Sequence, residues 1–263
     1  MPSVYAHYRF GREILELLPD DISSILIEHR ELFDIGLQGP DILFFYKPVF
    51  KNYVNQLGKR IHEWKGRRFF IPAVRQIRCL KNKDASIAYI CGVACHYALD
   101  AICHPYIHQC EMEMHLNHSA IEGAFERALI VEDRLPLNTL ITHSIKKRKQ
   151  NAYIISHFYG KTTCSQIYKA LRFMVLCNDG LRLKDNLIKK AIFLFLRLIG
   201  KYHSISGMVI TELANPQYAE TDQCLRELFE DSKEFAVSIL NEIVKSIKTG
   251  TPLSSNFDAT FMG

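Results

Sequence analysis

Apolar residues recur at three- and four-residue steps along almost the whole chain, and period-two alternation is nearly absent. Spacing near 3.6 belongs to helices that bury one stripe and expose the other. The pattern predicts helices over roughly 5–18, 21–34, 41–50, 55–80, 84–104, 117–131, 137–149, 163–177, 185–203, 204–213 and 219–248. Turn and cap signals separate them at Pro19-Asp20, Gly39-Pro40, Asn82-Lys83-Asp84, Asn178-Asp179-Gly180 and Asn215-Pro216. Asp84 and Asn117 are N-cap candidates, because each places a short oxygen acceptor before a periodic run. Proline disfavours helical geometry in the residue before it and cannot donate to the helix ladder. Pro105 therefore predicts that the helix from Asp84 ends or kinks at His104, which would aim that imidazole out of four-residue register. Repeats, low-complexity runs and linkers are absent from the sequence. The expected fold is all-α, one multi-helical domain over residues 1–248, followed by a small, polar, irregular tail over 249–263.

Composition changes this picture little. Hydrophobic residues make up 48% and charged residues 23% of the 263, as in globular proteins with a sizeable core. The net charge of +5 permits attraction to phosphate or anionic lipid but does not diagnose nucleic-acid binding. There is no aromatic-interleaved basic stripe of the single-strand-binding type, and no double-stranded nucleic-acid partner is expected. The opening residues carry Arg9, Arg12, Glu13 and Glu16 and lack an apolar signal core, so a cytoplasmic location is expected. The longest apolar run, Ala191 to Ile199, is interrupted by Arg197 and falls short of the ~20 residues of a membrane span. The 8 cysteines form no CxxC pair and read as reduced, buried thiols. Two segments bear on a peripheral membrane contact. Lys146-Lys147-Arg148-Lys149 reads as a solvated helix end or loop before it reads as a lipid contact. The stretch 186–202 is apolar around most of its circumference and reads as a core helix before an interfacial one.

Chemistry concentrates in one stretch. His96-x3-Asp100-x3-His104 is followed by His118-x3-Glu122, five metal-type ligands within 27 residues. Residues four apart lie on one helix face, one turn up, so two such pairs facing each other can hold zinc through imidazole nitrogen and carboxylate oxygen. A solvated face seldom needs so many histidines at single-turn steps. Cys95 and Cys103 lie about 100° around the helix from the histidines beside them, and read as packing residues. Upstream, His7, Asp41 and His62 are further candidates. Taken singly, His7 reads as a capping or surface histidine, Asp41 as a helix N-cap and His62 as an exposed residue before any of them reads as a ligand.

Taken in order, His7, Gly39-Pro40-Asp41, His62, His96-x3-Asp100, Cys103-His104-Pro105 and His118-x3-Glu122 resemble the zinc-dependent phospholipase C family. Zinc-dependent single-strand nucleases are its more distant relatives. The opening is similar to that of compact bacterial members without a signal peptide. The resemblance runs from His7 to Glu122 and implies an all-helical catalytic domain that cleaves phosphodiester bonds with two or three zinc ions. It implies that Asp41, His62, His96 and Asp100 hold one zinc, that His104, His118 and Glu122 hold a second, and that His7 with the other Asp100 oxygen contributes to a third. Secreted relatives complete the third site with an N-terminal tryptophan. Here the chain begins Met1-Pro2 and the only tryptophan is Trp64. In relatives the third ligand of the central motif lies six residues after the aspartate. Here that position is Tyr106, His104 is favoured, and His108 is the substitute. No segment resembles the membrane-binding β-sandwich of the toxin-type members. The implied reaction is attack of zinc-activated water on phosphorus, with Asp41 or Glu122 orienting the water and a phospholipid as substrate. The rival expectations are a nuclease or other phosphoesterase on the same scaffold, and a non-catalytic metal- or phosphate-binding protein.

Overall fold

A computed structural model describes residues 4–182 and 213–263, with isolated positions 190, 193, 194, 197 and 210 between them. The helices expected over 185–203 and 204–213, and most of the apolar stretch 186–202, lie outside the described residues. Among the described residues the fold is all-α; the only pairing of strand type is an isolated bridge between Lys65 and Thr260.

The helices are α1 (Val4–Leu17), α2 (Asp20–Glu28), α3 (Arg30–Gly36), α4 (Tyr53–Glu63), α5 (Gly66–Arg78), α6 (Asp84–Glu113), α7 (His118–Glu132), α8 (Lys149–Ser156), α9 (Cys164–Arg182) and α10 (Ala219–Thr249). A 3-10 turn, Gly39–Phe45, precedes α4. The axis of the molecule is α6. It packs most extensively against α3 and α10, with α1 and α2 beside them. From Ser86 to Asp100 every residue of α6 is buried, because neighbours surround it. By length and mean hydropathy α6 could cross a membrane, yet 89% of its apolar stretch is buried inside the protein. Its crossing with α3 depends on two glycines. A Cβ on Gly36 would fall 2.3 Å from the Tyr89 carbonyl oxygen, and one on Gly92 2.3 Å from that of Phe33. Only hydrogen at both positions lets the backbones approach this closely.

Several boundaries depart from the periodic reading. The run over 21–34 breaks at His29, and the run over 55–80 breaks at Trp64, where the chain extends for two residues before α5. Such breaks leave the apolar period intact, so periodicity does not reveal them. The helix expected over 41–50 is a 3-10 turn ending at Phe45, and that over 137–149 shrinks to a 3-10 turn at Ile141–Ser144 before α8. Of the basic run, residues 146–148 are loop and Lys149 opens α8, with Arg148 paired to Glu31 at 3.0 Å. Asn117 caps α7 by accepting from the Ala120 N–H, whereas Asp84 stands one residue inside α6.

The largest departure is at Pro105. The helix does not end at His104; α6 continues to Glu113 with Pro105 inside it. A proline in a helix interior costs ~3 kcal/mol. The packing of a 30-residue helix at the centre of the core exceeds that penalty. His104 therefore keeps its four-residue register with Asp100.

After α10, Gly250 takes the left-handed conformation (φ 83°) that ends many helices. Residues 251–263 carry one 3-10 turn, Ser255–Phe257, and run back across the molecule, with Phe257 and Phe261 fully buried.

Candidate metal centre

Five elements bring the candidate ligands together. His7 comes from α1, Asp41 from the 3-10 turn, His62 from α4, His96, Asp100 and His104 from α6, and His118 and Glu122 from α7. Four groups result, each compact enough for one ion: Asp41, His62 and His96; His7, His96 and Asp100; His104, His118 and Glu122; and, further out, His108, Glu111 and His118. The continuous α6 sets the spacing. Asp100 Oδ2 lies 3.0 Å from His96 Nε2 and 3.8 Å from His104 Nδ1, while Oδ1 faces His7 Nε2 at 3.4 Å. Asp41 reaches His62 Nε2 at 3.0 Å through one oxygen and His96 Nε2 at 3.7 Å through the other. Glu122 Oε1 lies 3.7 Å from His104 Nε2 and 3.4 Å from His118 Nε2.

The second nitrogen of each ring decides what the first can do. His62 Nδ1 lies 2.8 Å from the Gly58 carbonyl, His96 Nδ1 3.2 Å from that of Leu37, and His104 Nδ1 2.9 Å from that of Phe261. A carbonyl oxygen can only accept, so the N–H sits on Nδ1. In the neutral ring Nε2 then carries a lone pair, and in all three rings it points at carboxylate oxygens. His96 shows the consequence. Its ring is fully buried, and Nε2 has no hydrogen-bond partner even though Asp100 is 3.0 Å away. Lone pairs facing carboxylates in a buried site repel unless a cation lies between them. This donor set fits zinc, which takes imidazole nitrogen and carboxylate oxygen and is served by histidines whose other nitrogen is hydrogen-bonded.

In the metal-free protein protons take over part of that role. Burial alone would push His96 and His104 down, but the carboxylates outweigh it: Asp100 and Asp41 hold His96 above its ordinary value, and Asp100 and Glu122 push His104 up to about 9. His118 rises in the same way, against burial, through Glu122 and Glu111. Burial also opposes ionisation of the carboxylates, yet the facing imidazoles hold Asp41 and Glu122 below the usual range and Asp100 well below it. His7 goes the other way, lowered by burial and by His96, on which its ring stacks at 4.3 Å.

Sequence reasoning missed some of what builds the centre. Glu111 accepts from His118 Nδ1 at 3.0 Å and from His108 Nδ1 at 2.9 Å. His108 thus lies outside the inner groups, about half exposed, while His104 is buried among them. Glu111 lies three residues after His108 on the part of α6 beyond Pro105, where the sequence predicts no helix, so that spacing marks no face there. Gly39, at φ +51°, packs on the His96 ring so closely that a Cβ would sit 2.4 Å from it. Glu126 continues the row of His118 and Glu122 by one turn. It is buried, pairs with Arg182 at 3.3 Å and accepts the Tyr5 N–H at 2.6 Å, which ties down the turn of α1 that carries His7.

A cavity of about 500 Å³ is lined by Asp41, His62, Asp100, His104, His118 and Glu122, and its walls also include Phe44, Lys59, Asn117 and Met262. A larger groove of about 620 Å³, near His29, Arg148 and His157, lies at the other end of α6 and gathers none of these metal-type groups.

The family model described as zinc-dependent phospholipase C matches residues 6–180, which include every candidate ligand named above. The chain belongs to the zinc-dependent phospholipase C family. Membership makes zinc the family's metal and a phospholipase C its enzyme type. No match was found among curated proteins or among solved structures.

Proposed function

We propose that this family member is a zinc-dependent phosphodiester hydrolase of the phospholipase C type, acting on a phospholipid. The observation that carries the reading is the set of Nε2 atoms of His62, His96 and His104, turned by backbone hydrogen bonds toward Asp41, Asp100 and Glu122. In this reading Asp41, His62, His96 and Asp100 hold one zinc, and His104, His118 and Glu122 hold a second. His7 and Asp100 Oδ1 contribute to a third. Asp100 suits a bridging role because its two oxygens face different histidines. His104 rather than His108 is taken as the ligand, since His104 is buried and faces Glu122 while the His108 side chain stands further out, 44% exposed.

When bound, zinc neutralises phosphate oxygens and lowers the pKa of water to about 7. The chain's own residues do the rest. Asp41 and Glu122 line the cavity and stay ionised at neutral pH, so they accept hydrogen bonds from an attacking water and orient it. Lys59 on the cavity wall supplies positive charge for a phosphate, and Phe44 and Met262 supply apolar surface beside it. A phosphodiester with an apolar portion satisfies both walls. The contact with anionic membrane that such a substrate implies is part of the same reading.

Zinc-loaded protein should release phosphorylated headgroup from phospholipid vesicles, and lose that activity on chelation. Hydrolysis of nucleotides or single-stranded DNA with none of phospholipid would replace the lipid substrate by a nuclease reading. Zinc content with no hydrolysis of either would leave a binding protein.

A further inference from the structure

We propose that the segment 254–263 is a working part of the metal centre, with Phe261 as a positioning residue that fixes His104. The family match ends at residue 180, so nothing in the family assignment points to this segment. The proposal rests on the reading of His104 as a ligand, and its test separates the two.

The contacts place the segment at the centre of the site. The Phe261 carbonyl lies 2.9 Å from His104 Nδ1, so it holds the proton on that nitrogen and turns Nε2 toward Glu122. The Phe261 ring is fully buried and stands 5.7 Å from the His62 ring and 6.1 Å from that of His96. It thus backs both inner imidazoles. The next residue, Met262, lines the cavity. A main-chain carbonyl can aim an imidazole only if its segment is itself held, and this one is. Tyr97 Oη lies 3.1 Å from the carbonyls of Asn256 and Ala259, and the Gly66 N–H donates to Ala259 at 2.8 Å. Arg67 pairs with Asp258, and Ser254 bonds Glu242. Phe257 packs between Phe70 and Tyr97, at 5.2 and 6.2 Å. This is much more fixation than an exposed end requires, and all of it converges on the residue whose carbonyl meets His104.

The experiment is a metal titration of the full-length chain, with zinc counted per chain and Co(II) absorption as the signature of coordination. Three variants are compared with the unaltered chain. Phe261→Ala removes the ring that seats the carbonyl. Tyr97→Phe keeps ring volume but removes the hydroxyl that holds the segment. Phe229→Ala empties a comparable buried site against Phe10 and Phe125, away from the ligands. Outer partners of ligating histidines are worth about 10- to 100-fold in metal affinity. We expect Phe261→Ala to lose one ion per chain or bind it at least tenfold more weakly, with an altered Co(II) spectrum. Tyr97→Phe should shift the same ion in the same direction, and Phe229→Ala should keep full content and spectrum at a lower melting temperature. Phe261→Leu, which refills most of the volume, should restore binding. Unaltered affinity and spectrum in Phe261→Ala, or an equal loss in Phe229→Ala, would overturn the proposal. If Phe261→Ala does not fold, Tyr97→Phe decides alone. Failure of the unaltered chain to bind any divalent ion would instead sink the assignment of His104 as a ligand.

Discussion

Asp41, His62 and His96 are all buried, whereas of His104, His118 and Glu122 only His104 is, and His108 and Glu111 stand partly exposed beyond them. Both halves share α6 and both pair imidazole with carboxylate. They differ in what orients the rings. In the inner half the Nδ1 acceptors are carbonyls of Leu37 and Gly58, whose positions are set by the α3–α6 crossing and by α4. In the outer half His104 also meets a carbonyl, that of Phe261, but His118 leans on the side chain of Glu111, itself 31% exposed and shared with His108. Backbone acceptors are part of the fold and move only with it. A half-exposed carboxylate can rotate away at little cost. The inner half should therefore hold its ion as part of the core, and the outer half should exchange its ion readily.

Asp100 serves two of the three proposed ions, so its loss should have the largest effect. Asp100→Asn keeps the size but removes the charge, and the amide nitrogen is no ligand. It should abolish phosphodiester hydrolysis and lower metal content by at least one ion, whereas Cys95→Ser, one face around α6, should keep full content. Wild-type turnover and metal count in Asp100→Asn would show the ligand set to be misplaced.

Graded chelation sharpens the contrast. A ligand at a thousand times its Kd stabilises by about 4 kcal/mol, which for a chain of this size is a melting shift on the order of 10 °C. The first ion lost should be the outer one, with a small melting shift, and the large shift should follow loss of the second. Simultaneous loss of both ions in one step would erase the distinction.

Acidity offers a smaller and signed test. In metal-free protein the pKa of His104 is raised to about 9. A group raised on folding adds stability that is complete below its unfolded value, about 6.5, and lost as pH rises through the folded one. Chelated protein should therefore lose more melting temperature between pH 7 and pH 10 than zinc-loaded protein, in which His104 is already neutral. Parallel losses in thermal scans of the two forms would count against protons standing in for metal.

The smallest effect belongs to Glu111→Gln. It should weaken the outer ion by about 10- to 100-fold and leave the inner ion unchanged in the same titration. An equal loss at both would mean that the halves are not independently held.

Much of this was legible from spacing. Helical periodicity sufficed for the all-α class, and the four-residue steps of His96, Asp100 and His104 and of His118 and Glu122 carried the metal chemistry, because i, i+4 positions share a face whatever surrounds the helix. The breaks at His29 and Trp64 were not legible, since an apolar stripe continues in phase across them. Pro105 misled for a different reason: its local cost is real, but Cys103, His104, Ile107 and Cys110 around it are buried on one face of α6 while the proline itself is exposed, so tertiary packing carries the helix past it. Glu111 escaped because it follows Pro105, past the expected end of the helix, where its three-residue step from His108 marks no face.

From the sequence alone, then, came the helical class, the identity of the buried donors and their order along the chain. These follow from side-chain chemistry and from the geometry of a single helix, both local properties. The tertiary structure alone decided which nitrogen of each ring is free, because the deciding partners are the carbonyls of Gly58, Leu37 and Phe261. Every residue carries a carbonyl, so no residue type marks these three. Only the packing of α4, of the α3–α6 crossing and of the segment after Gly250 brings them to the imidazoles they aim.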